Sequence, residues 1–182
     1  AASSASVTYT VSAGDTSLPS DLNVTGIAPG SGAIVQDNVT NNPNAMASFT
    51  IPSGQNLAND ADSHIKVDGV LPTVTMISST TSSGTYGAGS NINITLDFSK
   101  NVTLSGSNGL IVTLNATRGG SPIVVNIPAF GPASTVSATY TMVAGDNSSG
   151  ADIAVTDIAL GTGSTLRDSV ANNPNDAVLM PL

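Results

Sequence analysis

The feature that most constrains the fold of this chain is an internal repeat of 39 residues. Residues 138–176 align with residues 7–45 at an offset of 131 positions without a gap, and 20 of the 39 aligned positions are identical. The identities include Tyr9 and Tyr140, Asp15 and Asp146, and an Asn-Asn-Pro-Asn turn in each copy. Repetition at a period near the size of a domain is typical of tandem modules, each burying its own core. The sequence therefore predicts two related modules.

The composition predicts that both modules are built from β-structure. Charged residues make up 9% of the chain, and all 12 acidic residues are Asp. Surface helices normally contain Glu, Lys and Arg, so a chain without Glu and with only four basic residues is poorly equipped to form them. Aromatic residues contribute 3% and Trp is absent. The core must then consist of Val, Ile, Leu and Ala, which pack well in sheets.

Alternation of apolar and polar residues predicts the individual strands. In residues 91–98, Ile92, Ile94, Leu96 and Phe98 fall on one face and polar residues on the other. Similar short segments are separated by turns rich in Gly, Ser and Asn, which is the pattern of an antiparallel β-sandwich. The other predicted strands are residues 7–11, 22–27, 49–51, 64–68, 73–77, 102–104, 110–114 and 123–127.

The predicted boundary between the modules lies at the Gly69-Val70-Leu71-Pro72 segment. Residues 1–69 would form the C-terminal part of one module plus the junction, and residues 70–182 a second, nearly complete module. A partial sandwich exposes an apolar face and open strand edges. The missing strands could come from a preceding part of a longer array or, by strand addition, from a neighbouring subunit. The sequence leaves both alternatives open.

Four segments carry a resemblance to a known group of proteins. They are the YTMVAGD segment that ends at Asp146, the DIAV segment that starts at Asp152, the Leu-Arg-Asp segment that ends at Asp168, and the VDGVLPTV junction at residues 67–74. Together they resemble the bacterial Ig-like, cadherin-like tandem repeats of large surface adhesins and extracellular fibre proteins. The junction departs from the Thr-rich version, and the period of 131 residues is long for this group.

The resemblance implies an Ig-like antiparallel β-sandwich, repeated in tandem, at the cell surface. It also implies that the partners of each module are neighbouring copies of the same module or subunit in an array or filament. The expected function is that of a non-catalytic extracellular structural repeat that gives a stalk reach and mechanical continuity. The alternative is a carbohydrate- or receptor-binding adhesin module whose partner is a host-cell or surface glycan. Such a module should carry clustered aromatic residues, and this chain has only six.

The residue inventory argues against several other functions. The net charge of −8 disfavours nucleic-acid binding, which depends on clustered Lys and Arg. With one His, no Cys and no Glu, a Cys/His pair and a paired-Glu site cannot be formed, and a Ser/His/Asp site would have to use His64. We therefore expect no catalytic residues and no enzyme activity. No apolar run in this segment is long enough to span a bilayer.

The aspartates make Ca²⁺ the one expected cofactor. Ca²⁺ takes roughly six to eight oxygen ligands, and extracellular modules often bind it weakly. One candidate site, at the junction, consists of Asp60, Asp62 and Asp68. The other candidates are pairs that flank the same turn in each copy, Asp15 with Asp21 and Asp146 with Asp152. Since an Asp can cap a turn without an ion, the turn pairs have a structural alternative.

Overall fold

A computed structural model describes residues 4–46 and 49–179 of the chain. It divides into two compact units, residues 1–70 and residues 71–182, which we call the N-terminal unit and the C-terminal unit. Residues 1–3 and 180–182, at the ends of the two predicted modules, lie outside the described residues. The fold is all-β: its regular elements are eight strands and one short 3₁₀ turn at Leu57–Asn59, with no α-helix in the described ranges.

All eight strands belong to the C-terminal unit and form two antiparallel sheets of four strands each. The strands are β1 (Val74–Ser78), β2 (Asn91–Ser105), β3 (Leu110–Arg118), β4 (Ser121–Ile127), β5 (Phe130–Thr141), β6 (Asp146–Asn147), β7 (Val155–Leu160) and β8 (Thr165–Asp168). In the first sheet β2 pairs with β1, β5 and β8. In the second sheet β3 pairs with β4, β6 and β7. The two long strands β2 and β3 are therefore the centres of their sheets.

The second copy of the repeat depends on these two central strands. In the first sheet, Ala138 of β5 pairs with Ile94 of β2, and Asp168 of β8 pairs with Val102 of β2. In the second sheet, β6 and β7 both pair with β3. Every strand segment of residues 138–176 is thus hydrogen-bonded to β2 or β3, and both of these strands precede the repeat in the chain.

The core lies between the two sheets and consists of aliphatic side chains with one Phe. The alternation predicted for residues 91–98 is confirmed, because its four apolar residues are buried while the residues between them are not. Full burial of each such side chain contributes about 1.5–3 kcal/mol to stability. The cluster draws on both sheets and comprises Ile94, Leu96, Phe98, Val102, Leu104, Leu110, Val112, Leu114, Ala116, Ile123, Val125, Ile127, Ile158 and Leu166. The two sheets thus pack face to face in a β-sandwich-like arrangement.

The N-terminal unit differs sharply, because its described residues contain no strand. Regular pairing is limited to two isolated antiparallel bridges, Thr16 with Asp68 and Gln36 with Ala45. The segments predicted as strands at residues 7–11, 22–27, 49–51 and 64–68 form no ladder. A strand needs a neighbour for its backbone N–H and C=O groups. The described part of this unit contains no equivalent of β2. Residues 65–69 lie antiparallel to the first copy, with Asp68 opposite Thr16 as Thr117 of β3 lies opposite Asn147, but these contacts are single backbone bonds and an isolated bridge, so the predicted strands form no ladder.

Candidate assembly site

The first shared element of the two copies is a turn closed by a Tyr and an Asp. In the C-terminal unit, the Tyr140 hydroxyl donates to Asp146 Oδ2 at 2.5 Å, and the Val143 N–H donates to the same oxygen at 2.8 Å. In the N-terminal unit, the Tyr9 hydroxyl and the Ser12 N–H make the same two bonds to Asp15. The Gly before each Asp has a positive φ, 90° at Gly14 and 94° at Gly145, which other residues rarely adopt. The repeat thus encodes this turn locally.

In the C-terminal unit this turn is also anchored by an ion pair. Arg118 Nε lies 2.7 Å from Asp146 Oδ1, and the guanidinium donates a further bond to the Tyr140 hydroxyl at 2.6 Å. The Arg118 guanidinium, together with the Tyr140 hydroxyl, lowers the pKa of Asp146 to about 2. The hydrogen bond from Tyr9 likewise lowers the pKa of Asp15. Both carboxylates are therefore charged and held by donors at neutral pH.

The second shared element is the Asp-capped turn that contains Asn-Asn-Pro-Asn. Asp37 Oδ1 accepts from the N–H of Asn44 at 2.9 Å, and Oδ2 accepts from the Asn44 side chain at 2.6 Å. Asp168 makes the same two bonds to Asn175, both at 2.8 Å. Burial acts to raise the pKa of Asp168, but these hydrogen bonds outweigh it and hold the pKa below its usual range. The turn has the same hydrogen bonds in both units.

The aspartates predicted to bind Ca²⁺ are spread over several local contacts. Asp15 and Asp146 close the Tyr-Asp turns. Asp21 lies 3.0 Å from His64 Nδ1, and Asp60 accepts from the Asp62 N–H at 3.0 Å. Asp68 accepts from the Val70 N–H at 3.2 Å, and the Asp152 carbonyl accepts from the Asn115 side chain at 2.8 Å. Within residues 4–46 and 49–179, no group of three or more His, Cys, Asp or Glu is placed to hold a metal ion.

The N-terminal copy exposes apolar side chains whose counterparts form the core of the C-terminal unit. Ile27 is 53% exposed, whereas the equivalent Ile158 of β7 is 4% exposed. Val35 is 45% exposed, whereas the equivalent Leu166 of β8 is 1% exposed. The local turns are the same, but the strands that cover these residues in one unit have no counterpart in the described part of the other. We call Val24, Ile27 and Val35 the uncovered apolar residues.

The C-terminal unit carries a groove between its two sheets, with a volume of about 740 Å³. One wall is formed by β1, by the start of β2 and by the Ser- and Thr-rich loop at residues 79–86. The other wall is formed by residues 146–155, with Leu114 of β3 beside it. Among the described residues that line this groove Tyr86 is the one aromatic residue, and its hydroxyl donates to the Ser82 carbonyl at 2.6 Å. We call this feature the side groove.

The sequence does not predict the side groove. One of its walls, residues 146–155, belongs to the repeat, but the opposite wall comes from β1, β2 and the loop at residues 79–86, which no local pattern connects to the repeat.

Comparisons with known protein families, with curated proteins and with solved structures found no match for this chain. In the described ranges, no helix has the length and apolar character needed to cross a membrane.

Proposed function

We propose that the chain is a non-catalytic structural repeat of an extracellular fibre or adhesin stalk, with Ig-like modules in tandem. Its role is to give the stalk reach and mechanical continuity. The observation that carries the proposal is the preservation of two hydrogen-bonded turns in both copies, while Ile27 and Val35 stand uncovered in one copy and their counterparts are buried in the other. A repeated unit with uncovered apolar residues suits a protein whose neighbours are further copies of itself.

The composition supports an extracellular location. The chain is rich in Ser and Thr, poor in Lys and free of Glu, which is typical of exported wall and fibre proteins. The absence of Cys is compatible with this location, because the fold does not depend on disulfides. Controlled protease treatment of intact source cells tests the location. We expect peptides of this chain in the medium before the cells are lysed. Peptides that are released only after lysis would contradict the proposal.

The mass of the intact source protein tests how the modules are joined. A mass many times 17.9 kDa would indicate modules joined in one long polypeptide. A mass near 17.9 kDa would indicate that modules are completed between subunits. Both results are compatible with an array, and they distinguish modules joined in one polypeptide from modules completed between subunits.

The side groove favours one alternative function, a carbohydrate- or receptor-binding adhesin module. The groove is concave and is lined by hydroxyl and amide groups together with apolar side chains, with Tyr86 as an aromatic surface for a sugar ring. Binding to a glycan array that is lost in a Tyr86→Ala variant would favour this alternative over the structural function. Ca²⁺ binding by the seven predicted aspartates remains part of the proposal.

A further inference from the structure

In the N-terminal unit, residues 64–69 take the place that the end of β3 has in the C-terminal unit. Asp68 lies opposite Thr16, and Thr117 of β3 lies opposite Asn147, the residue that aligns with Thr16. The segment follows the first copy of the repeat in the chain, whereas β3 precedes the second copy. One module has a single such place, so a β3-like strand that precedes the repeat and residues 64–69 exclude each other there.

The segment covers less of the repeat than β3 covers in the C-terminal unit. Its backbone bonds to the repeat end at Leu22, whose N–H donates to the Ile65 carbonyl at 2.7 Å. At Val24 the side-chain amide of Asn56 replaces a backbone peptide, since its Oδ1 accepts from the Val24 N–H at 3.0 Å and its Nδ2 donates to the Val24 carbonyl at 2.8 Å. The described residues place no strand beside Ile27, which is 53% exposed. Part of the surface that β3 covers is therefore open.

The segment also lacks the cation that β3 supplies. Arg118 at the end of β3 lies opposite Asp146 and forms an ion pair with it. In the N-terminal unit Gly69 lies opposite Asp15, because its N–H donates to the Asp15 carbonyl at 2.7 Å. A Cβ on Gly69 would lie 2.3 Å from the Ser12 carbonyl oxygen, so a larger residue does not fit this place. Asp15 thus keeps its hydrogen bonds but has no cationic partner among the described residues.

A glycine of the first copy marks the place of a turn that the N-terminal unit lacks. In the C-terminal unit the turn between β2 and β3 packs on Gly161, where a Cβ would lie 2.3 Å from the Asn108 carbonyl oxygen. Gly30 is the aligned residue, yet no atom of the described chain lies within 4 Å of its Cβ position, and its φ is outside the left-handed region. No contact in the described part of this unit requires Gly there. The close approach of a turn like that at residues 106–109 would require it.

The order of the strands in the C-terminal unit indicates where the missing partners come from. Ala138, the first residue of the second copy, lies within β5, which pairs with β2. β5 is joined to β3 only through β4 and short turns. Elements that are neighbours in space are usually joined by short connections in the same chain. An equivalent strand pair for the first copy would therefore directly precede Val7 in the same polypeptide.

We propose that the first copy of the repeat is the docking surface for a strand pair of the β2–β3 type from a preceding module of the same polypeptide, and that residues 64–69 occupy its place until it docks. The incoming pair brings a turn that packs on Gly30 and a basic residue that pairs with Asp15. Residues 64–69 then leave Thr16 and Ser17. This inference rests on the proposed tandem array and names the surface that completes one of its modules.

The test uses the full chain extended by a copy of residues 71–137 placed directly before Val7. The Gly69 N–H now donates to the Asp15 carbonyl, and the Val67 N–H donates to Ser17 Oγ. Because docking breaks both bonds, we expect the amides of Val67 and Gly69 to exchange at least about tenfold faster in the extended chain, measured by residue-resolved hydrogen exchange.

The control carries Leu96→Asp and Val112→Asp in the added copy, which disables the incoming strand pair and should leave Val67 and Gly69 as protected as in the chain itself. Val67 and Gly69 amides that stay protected while residues 24–29 become protected would overturn the exchange of residues 64–69. Unchanged exchange in both segments would overturn the docking surface.

The turn supplies a matched pair of variants. Gly30→Ala should leave the melting temperature of the unextended chain unchanged, because the Cβ enters open space, but should reduce the protection of residues 24–29 in the extended chain by at least about tenfold. Ser31→Ala changes the next residue of the same turn and should match the wild type in both chains. Full protection in the extended Gly30→Ala chain would contradict the packing of a turn on Gly30.

These results are independent of the surface-protease test. A chain that is exposed on cells but keeps residues 64–69 in place when extended would refute this inference and leave the proposed function standing.

Discussion

At the scale of single residues, the repeat places identical side chains in different surroundings. Ile27 and Ile158 occupy the same position of the two copies, yet one is 53% exposed and the other 4%. The sequence predicted a strand that ends at Ile27, and Ile158 is the aligned residue of the second copy. Burial depends on residues far away in the chain, here β3, and no local pattern contains that information.

This difference leads to a prediction for a matched pair of substitutions. Ile158→Ala should lower the free energy of unfolding of the C-terminal unit by about 2–5 kcal/mol, because it leaves a cavity in a packed core. Ile27→Ala should change stability by less than about 0.5 kcal/mol, because the side chain is largely solvated already. Urea denaturation at low protein concentration measures both. Equal losses for the two variants would show that Ile27 is covered and would contradict this account of the N-terminal unit.

A second residue-scale prediction concerns acid. The folded pKa of Asp146 is about 2, below the ordinary carboxyl value of about 3.9 in an unfolded chain. A depressed pKa contributes stability that is present above the ordinary value and is lost as the pH falls towards 2. The melting temperature of the C-terminal unit should therefore drop between pH 4 and pH 2, and the Asp146→Asn variant should show a smaller drop.

The equivalent carboxylate supplies the control for the acid experiment. Asp15→Asn removes the same turn contact from the N-terminal unit and should leave the acid sensitivity of the C-terminal transition unchanged. If Asp146→Asn kept the full wild-type acid sensitivity, the ion pair with Arg118 would not be its source.

At the scale of elements, turns were predicted more securely than strands. The Asn-Asn-Pro-Asn pattern predicted a turn at residues 41–44, and the carboxylate of the nearby Asp37 binds the Asn44 backbone and side chain. Such a turn is closed by residues within seven positions of one another, so its determinants are local. Residues 7–11 alternate as a strand should, but a strand needs a partner, and their counterparts at the end of β5 form a ladder only on β2.

The strand at residues 91–98 shows the opposite case. Its alternation predicted the buried face correctly, and the observed β2 continues to Ser105. The prediction succeeded because β2 lies at the centre of its sheet, where one face must be apolar. The side groove was not predicted, because its walls come from β1, from the start of β2 and from residues 146–155, which lie far apart in the sequence.

The predicted Ca²⁺ site at the junction lies in the Asp-rich segment at residues 60–68. We expect millimolar Ca²⁺ to raise the melting temperature of the N-terminal unit and excess chelator to lower it, because an ion bound only to the folded form stabilises it. Replacing both Asp60 and Asp62 by Asn should remove this response, whereas Asp146→Asn should not if the site lies in that segment. An unchanged melting temperature after chelation would end the Ca²⁺ hypothesis for the whole chain.

At the scale of the whole molecule, the same repeat lies in two different surroundings. In the C-terminal unit β1 to β4 precede the repeat, and the strands of the repeat pair with β2 and β3. In the described part of the N-terminal unit the repeat forms no strand, and Val24, Ile27 and Val35 are exposed. A tandem array of one module requires that residues 7–45 form the same strands as residues 138–176 once such partners are supplied.

Hydrogen exchange on an extended chain tests this claim most directly. The extension places a copy of residues 71–137 directly before Val7, in the register that residues 71–137 have with Ala138. We predict that amides at residues 24–29 and 34–37 become as strongly protected as those of β7 and β8, because they gain equivalents of β2 and β3. The same extension with Leu96→Asp and Val112→Asp should give no protection. Residues 24–29 and 34–37 that exchange as fast with the intact extension as without it would contradict the account.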